Sequence, residues 1–479
     1  MSAADGVSVR PHLPTAEVPH TLAEPAPRAL GLLDQLGFWG NLGVSLLGFG
    51  GAIAVSAPAG LPALPLSGAL TATVVGTALG ALVLGCSLVL GERTGAPTMV
   101  LLRGLLGARA SIAPTLLNVL QCLGWGTFEL VVIADGLAAL SHGHLPRWAC
   151  VLVAGAVTTA LTIRPLGAIR LLRRYVSVLV VLAVIVLAVD LLRTPVPAGH
   201  GSWTGFWAGT DAALAVAISW VPLGADYSRH ARSGRTAFVG GFAGYGVTQI
   251  ACYAVGLLAL ARAGQDPDKV FDVFLALPLG LIAFAVLVLR ETDQSFANVY
   301  STAVSVQNLR PRWDRRVLSV AIGALTTVTA LAVDISRYSS FLYLIGAVFV
   351  PLSGVLLAAW LGRAGRDWDV SSNAPTRPAM LFAWVLGFVV YELVNPGAVA
   401  GWSAMWTAAG TALHVAGHAW LSASIASFAI AFLVAYPLAR WATVRAGVEP
   451  AVDVPSTAGR DSVDGEVAAR GSVEGEVAG

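Results

Sequence analysis

The sequence is poor in charge and almost without lysine. Charged residues fill 12% of its 479 positions, about half the ~25% of an ordinary soluble domain. Hydrophobic residues fill 56%, gathered in long runs. A water-soluble globular chain is thereby excluded, and the expectation is an all-α, polytopic membrane protein. Cysteine is scarce as well. Cys86, Cys122, Cys150 and Cys252 sit in or beside apolar runs without metal-site spacing, so they read as small core residues. His414 and His418 stand four apart, but no cysteine or carboxylate accompanies them, so no metal is expected there. There is no phosphate-cradling GxxxxGK[ST] loop, no nucleic-acid motif and no soluble catalytic domain. The N-terminal stretch lacks a basic-then-apolar start, so no cleavable signal peptide is expected.

What is present is a series of apolar runs, about twelve in number. Prolines at 11, 14, 19, 25 and 27 make residues 1–35 an expected disordered cytoplasmic tail. Residues 36–441 are the expected membrane domain: a first repeat over 36–192, a second over 206–361, and two additional helices over 380–441. Residues 442–479 are acidic and Gly-rich, with Ser462–Ala468 echoed at Ser472–Ala478, and read as a disordered tail. Trp402–Trp420 is too polar for a span and reads as an amphipathic external helix. With a cytoplasmic N-terminus and alternating spans, the inside loops hold 17 basic residues against 5 outside. That bias places both termini in the cytoplasm of a cell-membrane protein.

Some spans carry polar residues where lipid permits none. In the third, roughly Ala113–Leu140, residues Asn118, Gln121, Trp125 and Glu129 share one narrow helix face at 100° per residue. A charge at that depth costs roughly 2.5–3.5 kcal/mol, so Glu129 must meet a cavity or a partner. A flat π-face beside a carboxylate suits a planar, hydrogen-bonding ligand; the alternative is a buried Glu satisfied by a neighbouring helix. The eighth span begins near Leu277 and continues through Arg290-Glu-Thr-Asp-Gln-Ser-Phe-Ala-Asn298 to Thr302. Its residues Arg290, Glu291, Gln294, Ser295, Asn298, Ser301 and Thr302 fall on one face of about 140°. Arg290 is placed to neutralise Glu291 or Asp293.

Two further spans look interrupted. The first, about Leu36–Pro58, holds Ser45 and the cluster Gly48-Phe-Gly-Gly51, with a break expected near Gly48; close packing through small residues is the alternative. The sixth, about Phe206–Ala225, holds Ser219-Trp-Val-Pro-Leu-Gly224, with a break expected near Pro222. Spans one and six occupy corresponding positions of two five-span halves. Paired broken helices of that kind point to an inverted-repeat transporter with a site near the bilayer midplane.

Four stretches carry a resemblance to a known family: Gly95-Ala-Pro-Thr-Met-Val-Leu-Leu-Arg103, Gly124-Trp-Gly-Thr-Phe-Glu129, Ser219-Trp-Val-Pro-Leu-Gly-Ala-Asp-Tyr-Ser-Arg229 and Asn298-Val-Tyr-Ser301. In this order they resemble the nucleobase:cation symporter-1 family, the purine–cytosine permeases, over about residues 30–440. The resemblance implies a LeuT-type 5+5 inverted repeat and ion-driven symport of a nucleobase, such as cytosine or a purine, or a related pyrimidine. It implies that Trp125 and Trp220 sandwich the substrate, that Glu129 and Asn298 bind its edge, and that carbonyls near Ser45 to Gly48 join two span-eight hydroxyls around sodium. Ser295 matches the first hydroxyl; Phe296 stands where the second is expected.

The expected substrate site is therefore Trp125, Glu129, Gln121, Ser219, Trp220, Asn298 and Gly48. The expected ion-coupling residues are Glu129, Ser45, Ser295, Glu291 and Asp293. No cofactor is expected beyond a coupling H+ or Na+, with the supply of carboxylates favouring the proton. The expected partners are a small heterocycle and the lipid bilayer, with no nucleic acid, in a monomer or weak oligomer. The alternatives are an amino-acid or amine carrier with Glu129 as counter-ion, an intramembrane enzyme, and a substrate-sensing receptor.

Overall fold

A computed structural model describes residues 18, 20–22, 25–58, 61–167, 176–197, 199, 201–266, 269–333, 338–363, 368–397, 399–415 and 418–445. The described chain is helical; apart from an isolated bridge between Leu30 and Ala231, no strand pairing occurs among the described residues. Helices are what lipid demands, because every backbone polar group must find a partner without water. Seven described helices are long and apolar enough to cross a bilayer, and a bent pair makes an eighth. Arg147–Ile163, Ser177–Leu192 and Pro378–Val394 are shorter apolar helices. Trp402–Ala412 forms a helix of its own with one buried residue, Gly410.

The first span is the bent pair. Helix α1 (Leu32–Leu42) and helix α2 (Leu46–Ser56) meet at 53°. The break therefore lies at residues 43–45, ahead of the expected Gly48, which sits inside α2. Two local features put it there. Ser45 is the N-cap of α2, its side chain accepting a hydrogen bond from Leu47 N at 3.0 Å. Gly43 lies so close to span seven that a Cβ would come within 2.1 Å of Thr248 Oγ1 and 2.5 Å of Tyr245 O. Gly48 instead serves packing: a Cβ there would sit 3.2 Å from Cys252 Sγ.

Span six is interrupted more gently. Phe206–Ile218 and Val221–Ser228 are separated only by Ser219 and Trp220, where the ladder tightens to bonds such as Leu223 N to Trp220 O at 3.2 Å. The break thus precedes Pro222, which takes a first-turn position that needs no N–H. Span seven, Gly234–Arg262, reads from sequence as an ordinary apolar run. It proves to contain a π-helical stretch over Gly240–Tyr245 and a fully buried Gln249. Span eight is two helices, Gly280–Arg290 and Thr292–Leu309, jointed at Glu291. Its polar half stays helical as far as Leu309, and most of it is buried against span three.

Of the expected N-terminal tail, residues 18, 20–22 and 25–35 are described, and several of them are engaged with the bundle. Leu30 is fully buried and exchanges backbone hydrogen bonds with the chain at His230–Arg232. The other expected tail residues, and all of 446–479, lie outside the described residues.

Candidate functional site

Spans one, three, six, seven and eight border a small central cavity. Trp125 of span three and Trp220 of span six both line it. Each indole is braced by other rings. Trp125 meets Phe341 edge-on at 5.5 Å; Trp220 meets Trp39 at 6.4 Å and Tyr245 at 6.3 Å. Such packing holds flat faces in place before a ligand arrives, which lowers the entropy lost on binding.

The polar lining comes from the broken helices and from spans seven and eight. Ser45, Gly48, Ser219, Gln249, Gln294 and Asn298 border the cavity. Asn298 donates to Gln294 O at 3.1 Å, and Ser219 Oγ donates to Val216 O at 2.7 Å. Gln294 spends both N–H groups on span one and keeps its carbonyl oxygen as an acceptor, while Asn298 keeps an oxygen and one N–H, groups that suit a heterocycle edge. Gln121 stands behind this wall: its amide donates to Ser219 O at 3.1 Å and to Asn118 Oδ1 at 3.2 Å, tying span three to the interruption of span six.

Glu129 lies away from the cavity wall, buried to 1% exposure. It lies in the electrostatic neighbourhood of Glu291 and Arg290. Its Oε2 has no donor among the described residues.

The junction of α1 and α2 is filled from span eight. Glu291 accepts from Ser45 Oγ at 2.6 Å and from Leu46 N at 3.1 Å, and pairs with Arg290 at 3.0 Å. Asp293 accepts from the Asn41 amide, and Arg290 also donates to Asn41 O. Gln294 donates to Leu42 O at 2.7 Å and to Val44 O at 3.2 Å. Ser295 is fully buried, and its hydroxyl has no hydrogen-bond partner among the described residues. Phe296 stacks on Tyr300 at 6.2 Å.

Of the residues expected at the site, the cavity gathers Trp125, Ser219, Trp220, Asn298, Gly48 and Ser45. Gln121, Glu129, Glu291, Asp293 and Ser295 stand outside its lining. Sequence reading gave no role to Gln294, Tyr245, Gln249 and Tyr253, which do line it. Gln249 carried a usable signal, a carboxamide alone in an apolar run. Gln294 was visible on the polar face of span eight.

Similar proteins fit this picture. The family of permeases for cytosine/purines, uracil, thiamine and allantoin matches residues 59–372. Among curated protein sequences none matches significantly. Similar solved structures include Mhp1, a nucleobase-cation-symport-1 family transporter in a closed conformation with bromovinylhydantoin bound. It shares 16% identity at a TM-score of 0.64, over 90% of this chain and 96% of that one. A Na+-coupled sialic acid symporter in a substrate-bound outward-open state shares 12% identity at a TM-score of 0.55, over 88% and 92%. MhsT in complex with L-phenylalanine shares 14% identity at 0.54, over 86% and 100%. At these identities the likeness is one of fold, the LeuT-type inverted repeat. The chain belongs to the family of permeases for cytosine/purines, uracil, thiamine and allantoin.

Proposed function

We propose that this protein imports a flat, hydrogen-bonding heterocycle, a nucleobase or related pyrimidine, stacked between Trp125 and Trp220 and driven by protons. The observation that carries this reading is one small central cavity bordered by both indoles and by the carboxamides of Gln294 and Asn298. Stacking supplies affinity for the ring faces, and the amides read its edge. An amino-acid carrier would need a charged partner for an ammonium group at the cavity wall, and the described lining offers no carboxylate. Glu129 then belongs to the proton rather than to the ring. It shares the buried cluster with Glu291, and Ser45, which donates to Glu291, also lines the cavity. Filling the cavity thus presses on the groups that hold the proton. Ion and substrate are coupled through Ser45 and not through direct contact.

The arginine distribution supports a cell-membrane location with both termini cytoplasmic, and the chemistry is transport with no catalytic step. The test is a thermal-shift screen of the purified protein against cytosine, uracil, adenine, thiamine, allantoin and the amino acids, followed by uptake of the best ligand into proteoliposomes. Stabilisation by a planar heterocycle and accumulation of that compound intact are expected. Stabilisation by amino acids alone, or release of a converted product, contradicts the reading.

A further inference from the structure

A broken helix leaves two unlike ends in the membrane. The C-terminal end of α1 presents unpaired carbonyls with partial negative charge, and the N-terminal end of α2 presents unpaired N–H groups with partial positive charge. Away from water both must be matched. At this break the match comes from consecutive side chains of span eight. Arg290, 1% exposed, donates through Nη2 to Asn41 O at the carbonyl end. Glu291, fully buried, accepts from Leu46 N and Ser45 Oγ at the N–H end. The two then pair with each other at 3.0 Å. The ion pair lies along the break with each charge on the half-helix end of opposite sign. Gln294 takes Leu42 O and Val44 O. Asn41 O, which also accepts from Val44 N at 3.3 Å, and the carbonyls of Leu42 and Val44 are thus held by donors of the chain itself.

We propose that the Arg290 guanidinium is a resident cation of the span-one break, standing where a metal cation would otherwise bind, so that transport is independent of sodium. Unwound carbonyls and carboxylates at membrane depth are the donor set a small hard cation seeks. Here a fixed positive charge occupies one of those carbonyls and one of those carboxylates, and it repels a second cation. Arginine does not release its proton in proteins, so Arg290 is a positioning residue and not the carrier. It faces Glu291 and Asp293 of its own span, Glu129 of span three, and Tyr245 and Cys252 of span seven. With one arginine against three carboxyls, the remaining charge is left to protons. This inference rests on the transporter reading.

Direct binding of 22Na+ and of 14C-guanidinium to the purified protein tests it, with no need to know the substrate. The wild type should bind neither saturably. Arg290→Ala, checked for folding by its elution profile, should gain saturable guanidinium binding, and added guanidinium should restore at least a tenth of wild-type uracil or cytosine uptake. Saturable sodium binding by the wild type overturns the proposal, and so does a folded Arg290→Ala protein that binds no guanidinium. If that variant does not fold, Arg290→Lys replaces it: uptake equal within twofold in sodium and choline buffers is expected, and stimulation beyond fivefold by sodium overturns. Failure of proton coupling looks different, since uptake would then ignore an imposed pH gradient while staying blind to sodium.

Discussion

At the scale of single residues, the account turns on which side chains carry protons and which carry rings. Glu129 and Glu291 come from spans three and eight and are both buried. If Glu129 carries the proton, Glu129→Gln should abolish concentrative uptake and leave counterflow exchange of substrate intact. A Gln that only shifts affinity, with accumulation preserved, would assign the proton elsewhere. For the rings, Trp125→Ala and Trp220→Ala should each weaken ligand binding by about ten- to a hundredfold, given ~1–3 kcal/mol per stacked base; titration calorimetry reads this directly. Equal, small losses of under twofold would remove the sandwich. Outside the membrane-spanning segments, burial holds His230 neutral, with its pKa pushed down to about 3, and neighbouring Arg229 acts the same way. Its Nδ1 lies 3.0 Å from Pro27 O. A depressed histidine means the unfolded chain binds the extra proton, so this contribution to stability is intact above about pH 6.5. It is then lost at roughly 1.4 kcal/mol per pH unit as pH falls toward 3. Melting of wild type and His230→Asn across pH 5–8 should therefore diverge most at high pH and converge as pH falls; a constant difference refutes it.

At the scale of elements, the break in span one is the feature on which both site and coupling depend. Gly43→Ala should be costly, because its Cβ would meet the Thr248 hydroxyl and the Tyr245 carbonyl at 2.1 and 2.5 Å. Overpacking of this kind costs typically ~1–3 kcal/mol, and a lower melting temperature with uptake below a tenth of wild type is expected. Wild-type uptake in that variant would show that span one tolerates a shift against span seven. The same element marks the limit of sequence reading. A broken first span was legible because glycines within an apolar run weaken a helix locally. Its location was not, because the freed backbone groups are matched by Arg290, Glu291 and Gln294, some 250 residues away in the chain. The polar face of span eight, by contrast, was legible residue by residue, since helical periodicity is a local property. Glu129 fell between the two cases. Its buried stripe followed from periodicity, but its place in the neighbourhood of Glu291 rather than on the cavity wall depends on a partner helix.

At the scale of the molecule, the arginine-rich end of the bundle is also where the N-terminal segment is fastened. Leu30 bridges to Ala231, Arg28 pairs with Glu92, and Arg315 N donates to His20 O at 3.0 Å. These contacts join the segment to the end of the helix Leu66–Thr94 and to the connections after spans six and eight, the side that arginine counting expects to be inside. The fold it shares with a Na+-coupled sialic acid symporter is compatible with more than one driving ion, because the ion chemistry sits in a handful of side chains and not in the topology. Here those side chains are two buried carboxyls, a third on Asn41, and one arginine. The central claim is that a proton bound in this cluster drives a heterocycle through the indole-lined cavity. It is tested most directly by proteoliposome uptake of the ligand from the stabilisation screen, with pH and sodium gradients imposed separately. Accumulation driven by an inward proton gradient in sodium-free buffer, lost in Glu129→Gln, is the predicted result. Accumulation that follows the sodium gradient at equal pH inside and out would contradict it.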